Sequence, residues 1–186
     1  MNESKSIAGS HLEHVLENEI AEHLAANDWL YSPTDAGYDR ELALFPEDVL
    51  GWLAESQPTE FAKVVRPGDT DAQREAATQG ILTRLAKSLD NDPMKNGGTI
   101  RILHEGFSLV PLHGGAVKFR MAQFRPATSN NPETLADYAK MRVRVMRQVH
   151  YSTKNPNKAL DLMLFVNGIP VSTVELKTDF TQPISN

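Results

Sequence analysis

The stretch LDLMLFVNGIPVSTVELKTDF, residues 160–180, decides the fold of the chain. Asn-Gly at 167–168 lies between two runs rich in Val, Ile, Leu and Phe, a pattern typical of a β-hairpin. Asp161 lies in the first run, and Glu175 and Lys177 lie at the end of the second. Three ionisable side chains in an apolar hairpin are costly to bury unless they are paired or bind a metal. The hairpin therefore carries the candidate functional residues.

The register of the hairpin decides which of these side chains meet. With a strict two-residue loop, Asp161 lies opposite Val174, and Glu175 points to the other face of the sheet. With one more residue in the loop, or with a bulge beside it, Asp161 lies opposite Glu175 and Lys177 shares their face. Pro170 has no N–H to donate to the strand ladder, which favours an irregularity next to the turn. We therefore predict the second register.

Asp161 and Glu175 on one face would suit a metal ion. Two neighbouring carboxylates repel each other unless a cation lies between them. Mg²⁺ prefers oxygen ligands, and it can polarise a phosphoryl oxygen and activate a bound water. Lys177 would orient that water or stabilise charge developing on the phosphate. The spacing is permissive, however, and an ordinary ion pair at a strand end would also produce it.

The composition is that of an ordinary globular protein. The chain has 186 residues, of which 40% are hydrophobic and 23% are charged, enough for one domain with a core. No apolar run is long enough to span a bilayer, and the N-terminus has no signal-peptide pattern. The absence of cysteine excludes disulfides and thiolate metal sites. These features fit a cytoplasmic protein and give no sign of a membrane partner.

Positive charge is concentrated in one part of an acidic chain. The net charge is −5, yet residues 117–158 contain nine Lys or Arg against two acids. Such a segment is typical of a phosphate-binding face, although solvated strand and loop positions would give the same count. Within it, Arg142, Arg144 and Arg147 are the candidates for contact with a nucleic-acid backbone. The alternative is a charged strand edge that prevents aggregation.

Helices and strands are intermixed along the chain, which predicts an α/β or α+β class. Of the two, we expect an α/β fold with a central mixed sheet flanked by helices. Apolar periodicity, helix-capping residues and turn residues give the boundaries. Helices are predicted over 10–27, 46–57 and 71–89 and from 132; strands are predicted over 99–112, 117–124 and 141–151 and in the hairpin; 28–39 is predicted as a loop.

Several stretches together resemble one known family, the N-terminal nuclease domain of the R (restriction) subunit of type I restriction–modification enzymes. That domain is a member of the PD-(D/E)XK superfamily. The resemblance runs from about Leu16 onward. It is carried by LDLMLFVNGIPVSTVELKT (160–178), ELALFPEDVLGWL (41–53), AQFRPATSNNPE (122–133) and RVRVMRQVHYS (142–152).

The resemblance implies a Mg²⁺-dependent endonuclease that cuts double-stranded DNA. Asp161 is similar to the family's first hairpin carboxylate, and Glu175 with Lys177 to its E-x-K pair. An acid on the first helix usually completes the metal site, and LENEIAEHLAANDW (16–29) aligns it with Glu17. A solvated helix acid is the alternative for that residue. The implied partners are DNA and the methyltransferase and specificity subunits of a type I complex.

Two departures from the family pattern stand out. Leu160 replaces the proline of the superfamily's name, and the chain stops at 182–186, before a helix with a Q-x-x-x-Y motif. No G-x-x-x-x-G-K-[ST] phosphate loop is present. The expectation is that residues 1–186 form a single nuclease domain, an N-terminal fragment of a longer R subunit whose ATP-binding motor lies elsewhere.

A rival interpretation makes the chain a non-catalytic docking module that joins the motor subunit to the methyltransferase core. Such a module has no use for acids at positions 161 and 175 on one face of a sheet. The placement of those two side chains therefore discriminates between the two functions.

Overall fold

The structure is a computed structural model that describes residues 3–91, 98–128 and 130–177. The prediction about a missing Q-x-x-x-Y helix concerns residues after 177 and lies outside the described residues. The helices are α1 (Glu3–Ala25), α2 (Pro46–Ser56), α3 (Pro58–Val64), α4 (Asp71–Asp90), α5 (Thr99–Glu105) and α6 (Pro132–Ala139). The strands are β1 (Leu30–Ser32), β2 (Phe107–Leu109), β3 (Val117–Phe119), β4 (Val143–His150), β5 (Ala159–Val166) and β6 (Ile169–Val174).

The larger sheet has the strand order β1-β4-β5-β6. β1 pairs with β4 in parallel, with Tyr31 opposite Val145. β5 and β6 are neighbours joined by two residues, which makes them the predicted antiparallel hairpin. β2 and β3 form a separate antiparallel pair. The chain is therefore mixed α/β with a mixed sheet, as predicted, while the finer assignment of a PD-(D/E)XK core stays a prediction.

Asn167 and Gly168 form the hairpin turn, and both have positive φ, 47° and 79°. Asn-Gly favours this two-residue turn because both central residues must adopt a left-handed conformation. The Asn167 side chain is fully buried. Its Oδ1 accepts a hydrogen bond from Arg142 N at 2.7 Å, and its Nδ2 donates to Met121 O at 2.8 Å. The turn is thus fixed by its backbone and by a satisfied buried amide.

The described residues divide into two compact units. The first contains those up to Ala36, Val143–Leu164 and those from Ser172 onward. The second contains Gly37–Arg142 and Phe165–Val171. The hairpin contributes to both units because its tip belongs to the second and its base to the first.

Each unit has its own apolar core. In the first, Ala21 of α1 packs with Val145 of β4 and Leu162 of β5. In the second, the buried cluster includes Trp52 of α2 and Phe119 of β3. The Trp52 indole Nε1 donates a hydrogen bond to a main-chain carbonyl oxygen, that of residue 120, at 2.9 Å, so its polar group is satisfied inside the core.

The predicted strand over 99–112 is wrong in its first half. Thr99–Glu105 is helix α5, and β2 begins only after Gly106. The β-branched residues at the start of this segment favour a strand, but Ile102 is buried on a helix instead. Gly106 ends that helix at a φ of 75°, where a Cβ would lie 1.9 Å from Phe119 O. Glycine is therefore required at the junction.

The predicted loop over 28–39 is also wrong in part, because Leu30–Ser32 forms β1. A three-residue strand has no periodicity of its own, and its partner β4 lies more than a hundred residues further along the chain. The helix predicted to begin at residue 10 begins at Glu3. The helices predicted from 46, 71 and 132 are confirmed by α2, α4 and α6.

Candidate active site

The hairpin loop contains two residues, so the predicted third loop residue is wrong. Val174 nevertheless packs against the buried cluster of Ala21, Val145 and Leu162. In a strict two-residue register, Val174 would point with Asp161 to the opposite face of the sheet. Its packing therefore favours the other predicted irregularity, a bulge between the turn and Val174. Alternation of side chains then predicts that Asp161 and Glu175 share a face.

Asp161 is connected directly to the chain beside Glu175. Its Oδ2 accepts a hydrogen bond from the main-chain N–H of Leu176 at 2.6 Å. Leu176 lies between Glu175 and Lys177, so this bond holds the carboxylate against the E-x-K segment. In the described part of the chain, no group donates to Asp161 Oδ1. One carboxylate oxygen is thus fixed and the other is left for a ligand.

Glu175 and Lys177 form a loose ion pair at the end of the hairpin. Lys177 Nζ lies 3.9 Å from Glu175 Oε2, and the side chains are 59% and 50% exposed, respectively. An exposed pair at this separation contributes little stability, because water and salt screen it. Neither group is therefore committed to a structural role.

Glu17 occupies a different environment, because it is a buried residue of α1 with 1% of its surface exposed. Its Oε1 accepts a hydrogen bond from Arg147 Nε at 2.8 Å, and its Oε2 accepts one from Gln148 Nε2 at 3.0 Å. His14 Nδ1 lies 3.2 Å from the same Oε2. Gln148 has a φ of 48°, an unusual conformation for a residue inside β4. Both carboxylate oxygens of Glu17 are therefore engaged within the protein.

Arg147 is the cation of this buried pair. Burial acts to lower the pKa of Arg147, but hydrogen bonds and charge interactions with Glu17 and Tyr31 outweigh burial and raise it. The guanidinium is therefore held in its charged form beside Glu17.

The structure does not gather the three predicted metal ligands into one cluster. Among residues 3–91, 98–128 and 130–177, no group of three or more His, Asp or Glu side chains could hold a metal ion. Asp161 is linked to the segment that carries Glu175, whereas Glu17 is paired with Arg147. The role of Glu17 as a metal ligand stays a prediction.

The other predicted DNA-binding arginines also have partners inside the protein. Arg142 forms ion pairs with Glu55 and Asp48, at 2.5 Å and 3.7 Å. Arg144 is 9% exposed, and its Nη1 donates to Ser32 Oγ at 2.7 Å. A guanidinium paired with an internal acid is partly neutralised, and its engaged N–H groups are not open to phosphate. Contact between these arginines and DNA stays a prediction.

Two lysines in the same basic segment were not singled out from the sequence. Lys154 and Lys158 lie in the loop before β5, and both are exposed. In the part of the chain that the structure describes, neither ammonium group has an ion-pair partner. Their position just before the strand that carries Asp161 is the signal that identifies them as phosphate-binding candidates.

Comparison with family models identifies the protein family of the chain. The model described as type I restriction enzyme R protein N terminus matches residues 48–186, well over half of the chain. The chain belongs to this family. Its membership identifies the N-terminal region of a type I R subunit, and it implies DNA and the other subunits of a restriction complex as partners. Neither the curated proteins nor the solved structures gave a match.

The part of this R-subunit region that matches the family model contains most of the candidate site. Asp161, Glu175 and Lys177 lie inside the matched residues, whereas Glu17 lies before them. Sequence resemblance predicted this family from about Leu16 onward, and the family model confirms it from residue 48. Among the described residues, no helix has the length and apolar character needed to cross a membrane.

Proposed function

We propose that this R-subunit region is a Mg²⁺-dependent endonuclease that hydrolyses phosphodiester bonds of double-stranded DNA. The observation that carries the proposal is the hydrogen bond from Leu176 N to Asp161 Oδ2. This bond joins the first hairpin carboxylate to the segment that holds Glu175 and Lys177, the residues that resemble the family's metal site.

The two hairpin carboxylates suit Mg²⁺ by donor type and number. Mg²⁺ is commonly bound by one or two carboxylates, and waters and substrate phosphate complete its coordination. Asp161 keeps one oxygen for a ligand, and Glu175 is half exposed. In this proposal the two residues hold the ion. When bound, the ion polarises the phosphoryl oxygen and lowers the pKa of a coordinated water.

In this proposal Lys177 provides electrostatic stabilisation of the transition state. Its ammonium is exposed and only loosely paired with Glu175, so it is free to approach a phosphate oxygen. There it would stabilise the negative charge that develops during hydrolysis. Lys154 and Lys158 would attract the DNA backbone without reading its sequence.

The role of Glu17 as a metal ligand is conditional in this proposal. Its oxygens are engaged by Arg147 and Gln148, so it becomes a third metal ligand only if one of these bonds is exchanged for the ion. Without that exchange, Glu17 acts through Arg147 as a structural partner of β4.

The proposal is tested by nicking of supercoiled plasmid with Mg²⁺, using the full-length R subunit in its complex. Asp161→Asn keeps an oxygen for Leu176 N but removes the charge, and we expect it to reduce cleavage to background. Lys177→Ala is expected to lower the rate by about 100-fold. The matched control Lys87→Ala changes an exposed lysine of α4 and should cleave like wild type.

ATP hydrolysis and subunit assembly are measured in parallel, because they show that each variant complex is intact. Normal cleavage by both Asp161→Asn and Lys177→Ala, in a correctly assembled complex, would refute the nuclease assignment. That result would favour the docking module instead.

A further inference from the structure

The second unit contains a groove between α3, α4 and the connection from β2 to β3. A cavity of about 710 Å³ is lined by residues of all three, and a cavity of about 440 Å³ adjoins it. Both cavities are lined by Lys63, Arg66, Pro111 and His113. Two cavities that share these residues form one continuous groove.

One wall of the groove is apolar and open to solvent. Val110 and Leu112 are 73% and 97% exposed. Val64 and Ala77 continue the apolar lining on the helices. Contiguous apolar patches exposed on soluble proteins often mark sites that bind another molecule. The wall therefore has the character of a binding surface.

The rim of the groove carries fixed positive charge. Arg66 Nη2 donates to His113 O at 3.0 Å, and Arg84 Nε donates to Ser108 O at 2.9 Å. Each bond anchors a guanidinium to the rim and leaves its remaining N–H groups for a ligand. Lys63 has no ion-pair partner among the described residues and adds a third cation.

The negative charge that lines the larger cavity comes from Asp69. Its Oδ2 accepts a hydrogen bond from the main-chain N–H of Arg66 at 2.8 Å, so it closes a turn. With three cations and one acid, the lining of the larger cavity has a positive net charge, whereas the chain as a whole has a net charge of −5. The groove is therefore complementary to an anionic ligand.

We propose that this groove docks an acidic, amphipathic segment of a partner protein. Aliphatic or aromatic side chains of the segment pack on Val110 and Leu112, and its carboxylates pair with Lys63, Arg66 and Arg84. Two adjoining cavities that share lining residues suit a length of polypeptide better than a compact small molecule. DNA is disfavoured because protein–DNA interfaces are more polar than this wall. The docking role is independent of the hairpin acids and of the proposed cleavage.

The test begins with selection from a random peptide library, using the 186-residue chain as bait. We expect the selected peptides to combine Asp or Glu with aliphatic or aromatic residues. Fluorescence anisotropy then measures their affinity for the wild-type chain and for Lys63→Glu and Leu112→Ser. Each substitution is expected to weaken binding by at least about tenfold. Binding is also expected to weaken as salt rises.

Matched controls make the same kinds of change, to a lysine and to an aliphatic residue, outside the groove lining. Lys87→Glu alters an exposed lysine of α4, and Ile100→Ser removes an apolar side chain that is 76% exposed. Both should bind the selected peptides like wild type. Because Leu112 is almost fully exposed, Leu112→Ser should leave the urea midpoint unchanged, which separates lost docking from lost folding.

The opposite results are equally clear. Enrichment of basic or uncharged peptides, or of none, would overturn the proposal. Equal affinity for wild type and Leu112→Ser would do the same, as would displacement of the peptides by duplex DNA.

Discussion

Gly168 combines a left-handed backbone with a close contact, and no other residue fits its position. Its φ is 79°, and a Cβ would lie 2.4 Å from Phe45 O and 2.6 Å from Val49 Cγ2. We expect Gly168→Ala to lower the free energy of unfolding by about 3 kcal/mol, because a strained backbone and a steric clash add. Urea unfolding followed by circular dichroism measures the change.

Gly80 provides the control for this substitution. It lies inside α4, and a Cβ there would meet no atom within 4 Å. Gly80→Ala should therefore raise the free energy of unfolding by about 1 kcal/mol, since alanine loses less backbone entropy in a helix. Changes of the same sign in the two variants would contradict the geometry described for the turn.

The buried pair of Glu17 and Arg147 makes a second prediction at the residue scale. Their side chains are 2% and 16% exposed, and Glu17→Gln leaves the guanidinium without its counterion. We expect a loss of about 3 kcal/mol in the free energy of unfolding. The double variant Glu17→Gln/Arg147→Met should lose less than the sum of the single losses, because each single change strands a buried group.

Glu22→Gln is the matched control, since Glu22 lies on the same helix and is exposed. Its effect should stay within about 0.5 kcal/mol. Additive losses in the double variant, or an unchanged stability for Glu17→Gln, would mean that Glu17 is not held by Arg147. Its Oε1 would then be available to a metal ion without displacement of Arg147.

At the scale of elements, β4 shows what the sequence could and could not predict. The strand was predictable from alternation over 141–151, and the hairpin from Asn-Gly between apolar runs. The environment of the β4 arginines was not, because it depends on β1, three residues without periodicity. Ser32 and Tyr31 of β1 accept hydrogen bonds from Arg144 and Arg147. Long-range pairing thus converts an apparent charged edge into an interior strand.

The bulge inferred in β6 has its own test, because it decides which face Val174 occupies. Val174 packs against the core of the first unit, whereas Val171 on the same strand is 40% exposed. Val174→Asp buries a charge, and we expect it to lower the free energy of unfolding by about 2 kcal/mol or more. Val171→Asp should stay within about 0.5 kcal/mol. Similar losses in urea unfolding would place Val174 on the exposed face, and Asp161 would then be separated from Glu175.

At the scale of the whole molecule, a positively charged segment lies within a chain whose net charge is negative. The chain carries −5 overall, so it should repel DNA except where cations are both exposed and unpaired. The predicted arginines at 142, 144 and 147 each have an internal partner. Lys154 and Lys158 do not have one among the described residues, and both are exposed. The positive net charge of the segment was predictable from the sequence. Which of its lysines and arginines can bind phosphate was not, because that depends on the ion pairs that form in the fold.

The last prediction follows from this distribution and concerns salt. Binding of the chain to a duplex oligonucleotide should weaken with rising salt, and each phosphate contact contributes about −0.9 to the logarithmic slope. Lys154→Ala/Lys158→Ala is therefore expected to make the slope shallower by about 2 units, with no change in the urea midpoint. Lys87→Ala, outside the basic segment, should leave the slope unchanged. If Arg142→Ala, rather than the lysine pair, flattens the slope while stability holds, the assignment to the lysines is wrong and Arg142 contacts phosphate despite its ion pair with Glu55.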